Sequence, residues 1–280
     1  DPHYALGLNN LGIISRKLGN YEEAMLYFVK AVSCEPENIS IWENLGSVLS
    51  LRDLNFQDYD DTLADIFVEL LNKKKTNNPN MVAPAILKLL FKSPDMLRSI
   101  KILADSRLSM ESFKEEIDNL SRFSLLLALM RLTPIADPQL ERVFVNCRKT
   151  LLLEPELITT DSSELFLQAL AQQCAVNEYI YPISKQEDLS IQHLNRVVED
   201  SLERKSSIED RVILTLACYK NLYAIRYKER IEKSVLTNDI VEFQISQVAR
   251  QKKISKDIPS LSVIRDQVSN RVRQQYEENS

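Results

Sequence analysis

From Asp58 onward, apolar residues recur at the spacing of a helix face, and no run shows the strict alternation of a half-buried strand. Pro, Asp and Ser break the pattern into predicted helices at 61–74, 83–92, 95–104, 111–132, 138–153, 162–180, 185–204, 208–223, 227–234, 238–253 and 262–278. Capping boxes mark three of the starts: Asp161 with Glu164, Ser184 with Glu187, and a weaker acidic version in Ser207 with Asp210. Stripes such as Leu165, Leu167, Leu170 and Cys174 with Val176 and Ile180 read as core. The fold class that follows is all-α.

Before Asp58 the pattern repeats itself. Leu11, Gly12, Gly19, Tyr21, Ala24, Phe28, Ala31 and Pro36 are followed, one 34-residue period after Leu8, Leu11 and Gly12, by Trp42, Leu45 and Gly46. Small residues let paired helices approach, aromatics fill the gap between them and proline stops the second helix. These markers resemble the tetratricopeptide repeat, with Leu8 standing where that family has its first aromatic. The resemblance implies stacked helix pairs over residues 5–56. The second copy decays after Arg52, where Asp58 occupies a small-residue position, as expected of a repeat that meets a different neighbour. Pro2 stands one period before Pro36, so residues 1–57 are expected to end a longer array. Residues 58–280 then form a larger helical domain, with a subdivision near 110.

Asn10 and Asn44 occupy equivalent positions, each before a Leu-Gly pair. An asparagine amide both donates and accepts, which complements a peptide group, so two in register point to an extended polypeptide ligand. This resembles the asparagine ladder of the superhelical O-GlcNAc transferase class of these repeats. Ile13 and Lys17 are assigned to the same peptide-binding surface.

Composition narrows the chemistry further. A net charge of −5 over 280 residues argues against non-specific nucleic-acid binding, which needs a basic surface. Apolar stretches such as Ser124 to Met130 fall far short of the roughly 20 residues that span a bilayer, so a cytoplasmic location without a membrane partner is expected. Cys34, Cys147, Cys174 and Cys218 stand alone, without zinc-site spacing, and are expected to be buried thiols. No glycine follows Gly46, so the chain holds no phosphate-cradling or dinucleotide loop, and no cofactor is expected in it. His3 and His193 have no nucleophile nearby in sequence to build a triad.

A second resemblance covers residue 115 to the end. The segment Leu165-Phe166-Leu167-Gln168-Ala169-Leu170-Ala171-Gln172-Gln173-Cys174 with Asn177-Glu178-Tyr179, and Val272-Arg273-Gln274-Gln275-Tyr276-Glu277-Glu278-Asn279, resemble bacterial proteins. In those proteins repeats and a helical region precede an S-adenosylmethionine-dependent methyltransferase domain; Ser280 departs from the family's proline. The resemblance implies a non-catalytic fragment of a methyltransferase-type parent. Asn177, Glu178 and Tyr179 are candidates for an interdomain or substrate contact, against the simpler reading of a satisfied helix end. The enzyme alternative is an all-α isoprenoid synthase. Asp60, Asp61 and Asp65 would then hold magnesium, with Asn238, Asp239, Glu242 and Ser246 as a second motif in swapped order.

Overall fold

The structure, a computed structural model, describes residues 2–51, 54–73, 76–105, 108–257, 271–272 and 274–275. Helices joined by turns and irregular segments make up the structure, and no strand occurs among the described residues. The first helix pair is α1 (Pro2–Lys17) and α2 (Tyr21–Cys34). Gly19, at φ 84°, turns the chain between them in the left-handed region that glycine enters without steric cost. Gly12 lets the pair close up: a Cβ at that position would lie 2.6 to 2.9 Å from three carbons of the buried Phe28 ring.

α3 (Ile39–Leu49) packs against both α1 and α2. Its Trp42 is fully buried and donates its indole N–H to the Pro36 carbonyl at 2.7 Å. Lys73 Nζ sits 5.5 Å from the centroid of that ring and donates to the same carbonyl at 2.9 Å.

The expected second helix pair is not completed within residues 5–56. The next helix, α4, spans Asp61–Asn72, and the described residues of 51–60 are irregular. Leu54 and Phe56 are buried there, Phe56 edge-to-face on Phe67 at 6.3 Å, so apolar plugs replace a helical turn. The slot beside Gly46 is filled by the end of α4 and the turn after it, since a Cβ on Gly46 would meet Asn77 Cβ at 3.0 Å and Leu70 Cδ1 at 3.8 Å.

The remaining helices are α5 (Pro79–Leu90), α6 (Pro94–Leu103), α7 (Met110–Ser121), α8 (Ser124–Leu132), α9 (Pro138–Leu153), α10 (Asp161–Val176), α11 (Lys185–Arg204) and α12 (Asp210–Ala217). A short α13 (Asn238–Val241) continues through a π-helical stretch, Glu242–Gln247, into α14 (Val248–Asp257). α5, α6 and α9 begin with proline behind a side-chain N-cap from Asn78, Ser93 and Asp137. There the missing N–H costs no bond, and the cap satisfies a donor the helix leaves open.

Several expected elements differ. The helix predicted at 111–132 breaks at Arg122–Phe123, where Phe123 packs edge-to-face on Tyr59 at 5.7 Å. The helix at 208–223 stops at Ala217, and 227–234 holds only a 3-10 turn, Lys228–Arg230. The Ser184–Glu187 capping box is present. The box of α10 is Thr160 with Ser163, one residue before the expected pair, and α12 starts at Asp210 after Glu209, which makes no side-chain cap bond. The helix expected at 262–278 falls mostly outside the described residues. Three cysteines are buried, but Cys34, at the last position of α2, is half-exposed.

Packing proceeds from neighbour to neighbour, α3 on α5, α5 on α8, and α8 on α10, with α4 also against α8. α10 then contacts α7, α12 and α13 as well.

Candidate functional site

The repeat surface is built on α1 and α3, whose backbones are held in register by two side-chain bonds. Asn44 Nδ2 donates to Asn9 Oδ1 at 2.9 Å, and Arg16 Nη1 donates to Ser47 Oγ at 2.8 Å. The partner of Asn44 is thus Asn9 rather than its repeat equivalent Asn10. Asn10 is exposed on the neighbouring position, Lys17 is exposed, and Ile13 is partly buried against the core. Asn44 spends one amide proton on Asn9, which fixes the side chain and leaves its oxygen and second proton for another group. Sequence register locates Asn44 but misses Asn9, because the match follows the repeat period and the contact is set by the offset between stacked helices.

Asn177, Glu178 and Tyr179 end α10. Glu178 and Tyr179 both adopt left-handed backbone, φ 53° and 58°, an uncommon pair for residues with side chains. The turn is closed by Tyr179 N donating to Cys174 O at 2.9 Å, and it leaves Glu178 exposed while swinging the Tyr179 ring against the core. The Tyr179 hydroxyl is buried without a hydrogen-bond partner, and burial pushes its pKa up. Gln173, oriented to satisfy its surroundings, donates to Met130 O and Thr133 O and accepts from Ile135 N, so it ties α10 to the end of α8.

Beyond that turn lies a buried charged group that sequence reading missed. Arg148 of α9 stacks 4.3 Å from the Tyr219 ring centroid and donates to Pro182 O at 2.7 Å. Its Nη2 lies 3.8 Å from Glu187 of α11. Glu187 accepts from Tyr219 Oη at 2.9 Å and from Ser184 Oγ at 2.6 Å. Burial alone would raise its pKa, but the Ser184 and Tyr219 hydrogen bonds and the Arg148 charge together hold it below the usual carboxylate range. Arg148 and Glu187 are too far apart in sequence for any local pattern to join them.

A cleft of about 650 Å³ opens between α4, α8, α10 and the π-helical stretch, with Arg131, Gln168, Gln172 and Asp239 in its lining. Arg131 Nη2 donates to Gln168 Oε1 at 2.9 Å, and Gln168 Nε2 donates to Leu236 O at 2.7 Å. Burial pushes the Arg131 pKa down, and Asp239 opposes it.

The carboxylates of the synthase alternative have local roles. Asp60 caps α4 by accepting from Leu63 N at 2.8 Å. Asp61 and Asp65 are exposed, and burial, followed by the charges of Asp61, Asp65 and Asp60, pushes the Tyr59 hydroxyl up to about 12. Glu242 is paired with Arg250 and with Lys233 at 3.1 Å, which holds its pKa down at about 2. Among the described residues no three His, Cys, Asp or Glu side chains converge as a metal site. His193 is exposed; the His3 side chain lies outside the described residues, as does most of the 272–279 segment.

None of the described helices is long and apolar enough to cross a membrane. No curated protein and no solved structure matches this chain. Residues 5–38, which span α1, α2 and the turn before α3, match the tetratricopeptide repeat family.

Proposed function

We propose that the chain is a polypeptide-binding helical scaffold whose α1–α3 surface holds an extended segment of a partner protein. The observation that carries this reading is the repeat at 5–38 running on into α3, with Asn44 braced by Asn9, the chain neighbour of the exposed Asn10, and with Lys17 exposed further along α1. Each amide offers a donor and an acceptor to a backbone peptide group. Every such bond replaces one to water, so about 0.5–1.5 kcal/mol per bond is the net gain, and two asparagines give weak binding that side-chain contacts must supplement. The test is a peptide-array screen followed by calorimetric titration of the best extended peptide onto wild type and an Asn10→Ala, Asn44→Ala double variant. Unchanged affinity in the variant removes the asparagines from the mechanism.

The resemblance of residues 165–179 supports a place for this scaffold beside an S-adenosylmethionine-dependent methyltransferase domain, with binding here and catalysis there. Binding of S-adenosylmethionine by this chain alone would overturn that division.

A further inference from the structure

In the cleft between α4, α8 and α10, Arg131 is a cation without an anion. Its Nη2 is taken by the neutral Gln168 amide, and Gln168 is itself locked by its bond to Leu236 O, so the guanidinium is held in one place. Its Nε is buried without a hydrogen-bond partner. None of the ion pairs among the described residues includes it. Burial lowers its pKa even though the charge of Asp239 opposes the shift, which is the condition of a desolvated cation that lacks a contacting carboxylate.

One turn further along α10 from Gln168, Gln172 lines the same cleft. It is 8% exposed, and its Oε1 is buried with no partner. A turn advances about 5.4 Å, so an unmatched donor beside a positive charge and an unmatched acceptor lie close together in one lining. Native proteins leave few buried polar groups unpaired. The Arg131–Gln168 tie between α8 and α10 uses neither of these atoms.

The rest of the lining narrows the chemistry that would match them. Of its two carboxylates, Glu242 is taken by Arg250 and Lys233, whereas Asp239 has no paired cation among the described residues. Leu132 and Leu165, 43% and 41% exposed, add apolar surface. Glu242 and Gln247 belong to the π-helical stretch, a rare geometry found mostly at functional sites. A matching ligand joins a carboxylate for Arg131 to a cationic hydrogen-bond donor for Gln172 Oε1 and Asp239, and carries an apolar body. The smallest molecule with that set is an α-amino acid, whose two charged groups share one carbon and fit within a single helical turn. The cleft's volume of about 650 Å³ lies in the range of small-molecule sites.

We infer that this cleft binds a free α-amino acid with an apolar side chain, its carboxylate on Arg131, its ammonium on Gln172 Oε1 and Asp239, and its side chain on Leu132 and Leu165. The site shares no residue with the α1–α3 surface and does not rest on that reading.

The test is calorimetric titration of the full chain with L-leucine, L-isoleucine, L-valine, L-methionine and L-phenylalanine. At least one should bind saturably, and its des-amino acid and its carboxamide should bind at least tenfold more weakly. Gln172→Met removes the amide and keeps the side-chain length. It should leave the urea midpoint unchanged or raised, because an unpaired buried oxygen is lost, and should weaken binding at least tenfold. Arg131→Gln should abolish binding, with circular dichroism verifying that the fold is kept. Silence from all five amino acids, wild-type affinity in either variant, or a des-amino acid that binds as well as its parent overturns the inference. So does tighter binding of a tripeptide that ends in the same residue, because the cleft would then take a polypeptide end. The Asn10→Ala, Asn44→Ala variant should bind the amino acid as wild type does, so each of the two readings can fail while the other stands.

Discussion

Two glycines on one helix should respond in opposite directions to the same substitution. Gly7 and Gly12 both lie inside α1, so replacing either with alanine gains helix propensity, about 1 kcal/mol. Around Gly7 there is open space, and Gly7→Ala should stabilise by about 0.5–1 kcal/mol. At Gly12 the new methyl would lie 2.6, 2.8 and 2.9 Å from carbons of Phe28, a ring with no exposed surface and no room to retreat. Overpacking of this kind costs roughly 1–3 kcal/mol, so Gly12→Ala should be neutral to destabilising by about 2 kcal/mol. Because propensity is common to both, the difference between the variants isolates the clash itself. With an m-value of about 2 kcal/mol/M it separates the two urea midpoints by roughly 0.5–1.5 M. Trp42 fluorescence and helical circular dichroism should be followed together in the same titration, since coincident transitions are needed before either midpoint becomes a free energy. If Gly12→Ala stabilises as much as Gly7→Ala, the close approach of α1 and α2 is wrong.

Trp42→Ala should cost roughly 3–5 kcal/mol, and the native emission of this single tryptophan should be blue-shifted; a water-like maximum before unfolding would contradict its burial. Tyr219→Phe removes a buried hydrogen bond to a charged carboxylate and should cost about 1.5–3 kcal/mol at pH 7. Since the folded pKa of Glu187 is depressed, its stabilisation is present above the unfolded value of about 4.3 and is lost as pH falls through the folded value. The gap between Tyr219→Phe and wild type should therefore narrow in urea titrations near pH 3, and a gap that is constant with pH would argue against a charged Glu187. Asp60→Ala removes the cap of α4 and should cost about 1 kcal/mol in the same assay, whereas Asp61→Ala should cost little; the reverse order would give the pair a different role.

The repeat signature is legible in sequence because each marker has a steric reason that acts locally: Gly12 for Phe28, Gly19 for the turn, and Trp42 of the second copy for the space beneath Pro36. The second repeat keeps the markers of its first helix and loses its second, because Leu54 and Phe56 bury themselves without a helix. Where tertiary contacts decide, pattern fails. The break at Phe123 has neither glycine nor proline behind it, only the Tyr59 ring. Likewise α12 ends at Ala217, and Gln244 then serves the irregular chain from a distance, accepting from Leu222 N at 2.8 Å. The asparagine register picks out Asn44 but not its hydrogen-bond partner Asn9, and nothing periodic links Arg148 to Glu187 or Arg131 to Gln168.

The neighbour-to-neighbour order of the helices has a kinetic consequence. A stack whose elements touch mainly the next in line can open piece by piece, so α1 and α2, which meet the rest of the described helices through α3, should exchange their amide protons through local opening. α8 and α10 depart from that order with four helical partners each, and of the two it is α10, touching α7, α8, α12 and α13, that also carries Gln173 and Cys174 at its buried centre. Opening it must release four partners at once. Its amides should therefore exchange only through global unfolding, which makes α10 the keystone of the chain's kinetic lifetime even though the repeat at the other end supplies its recognisable signature.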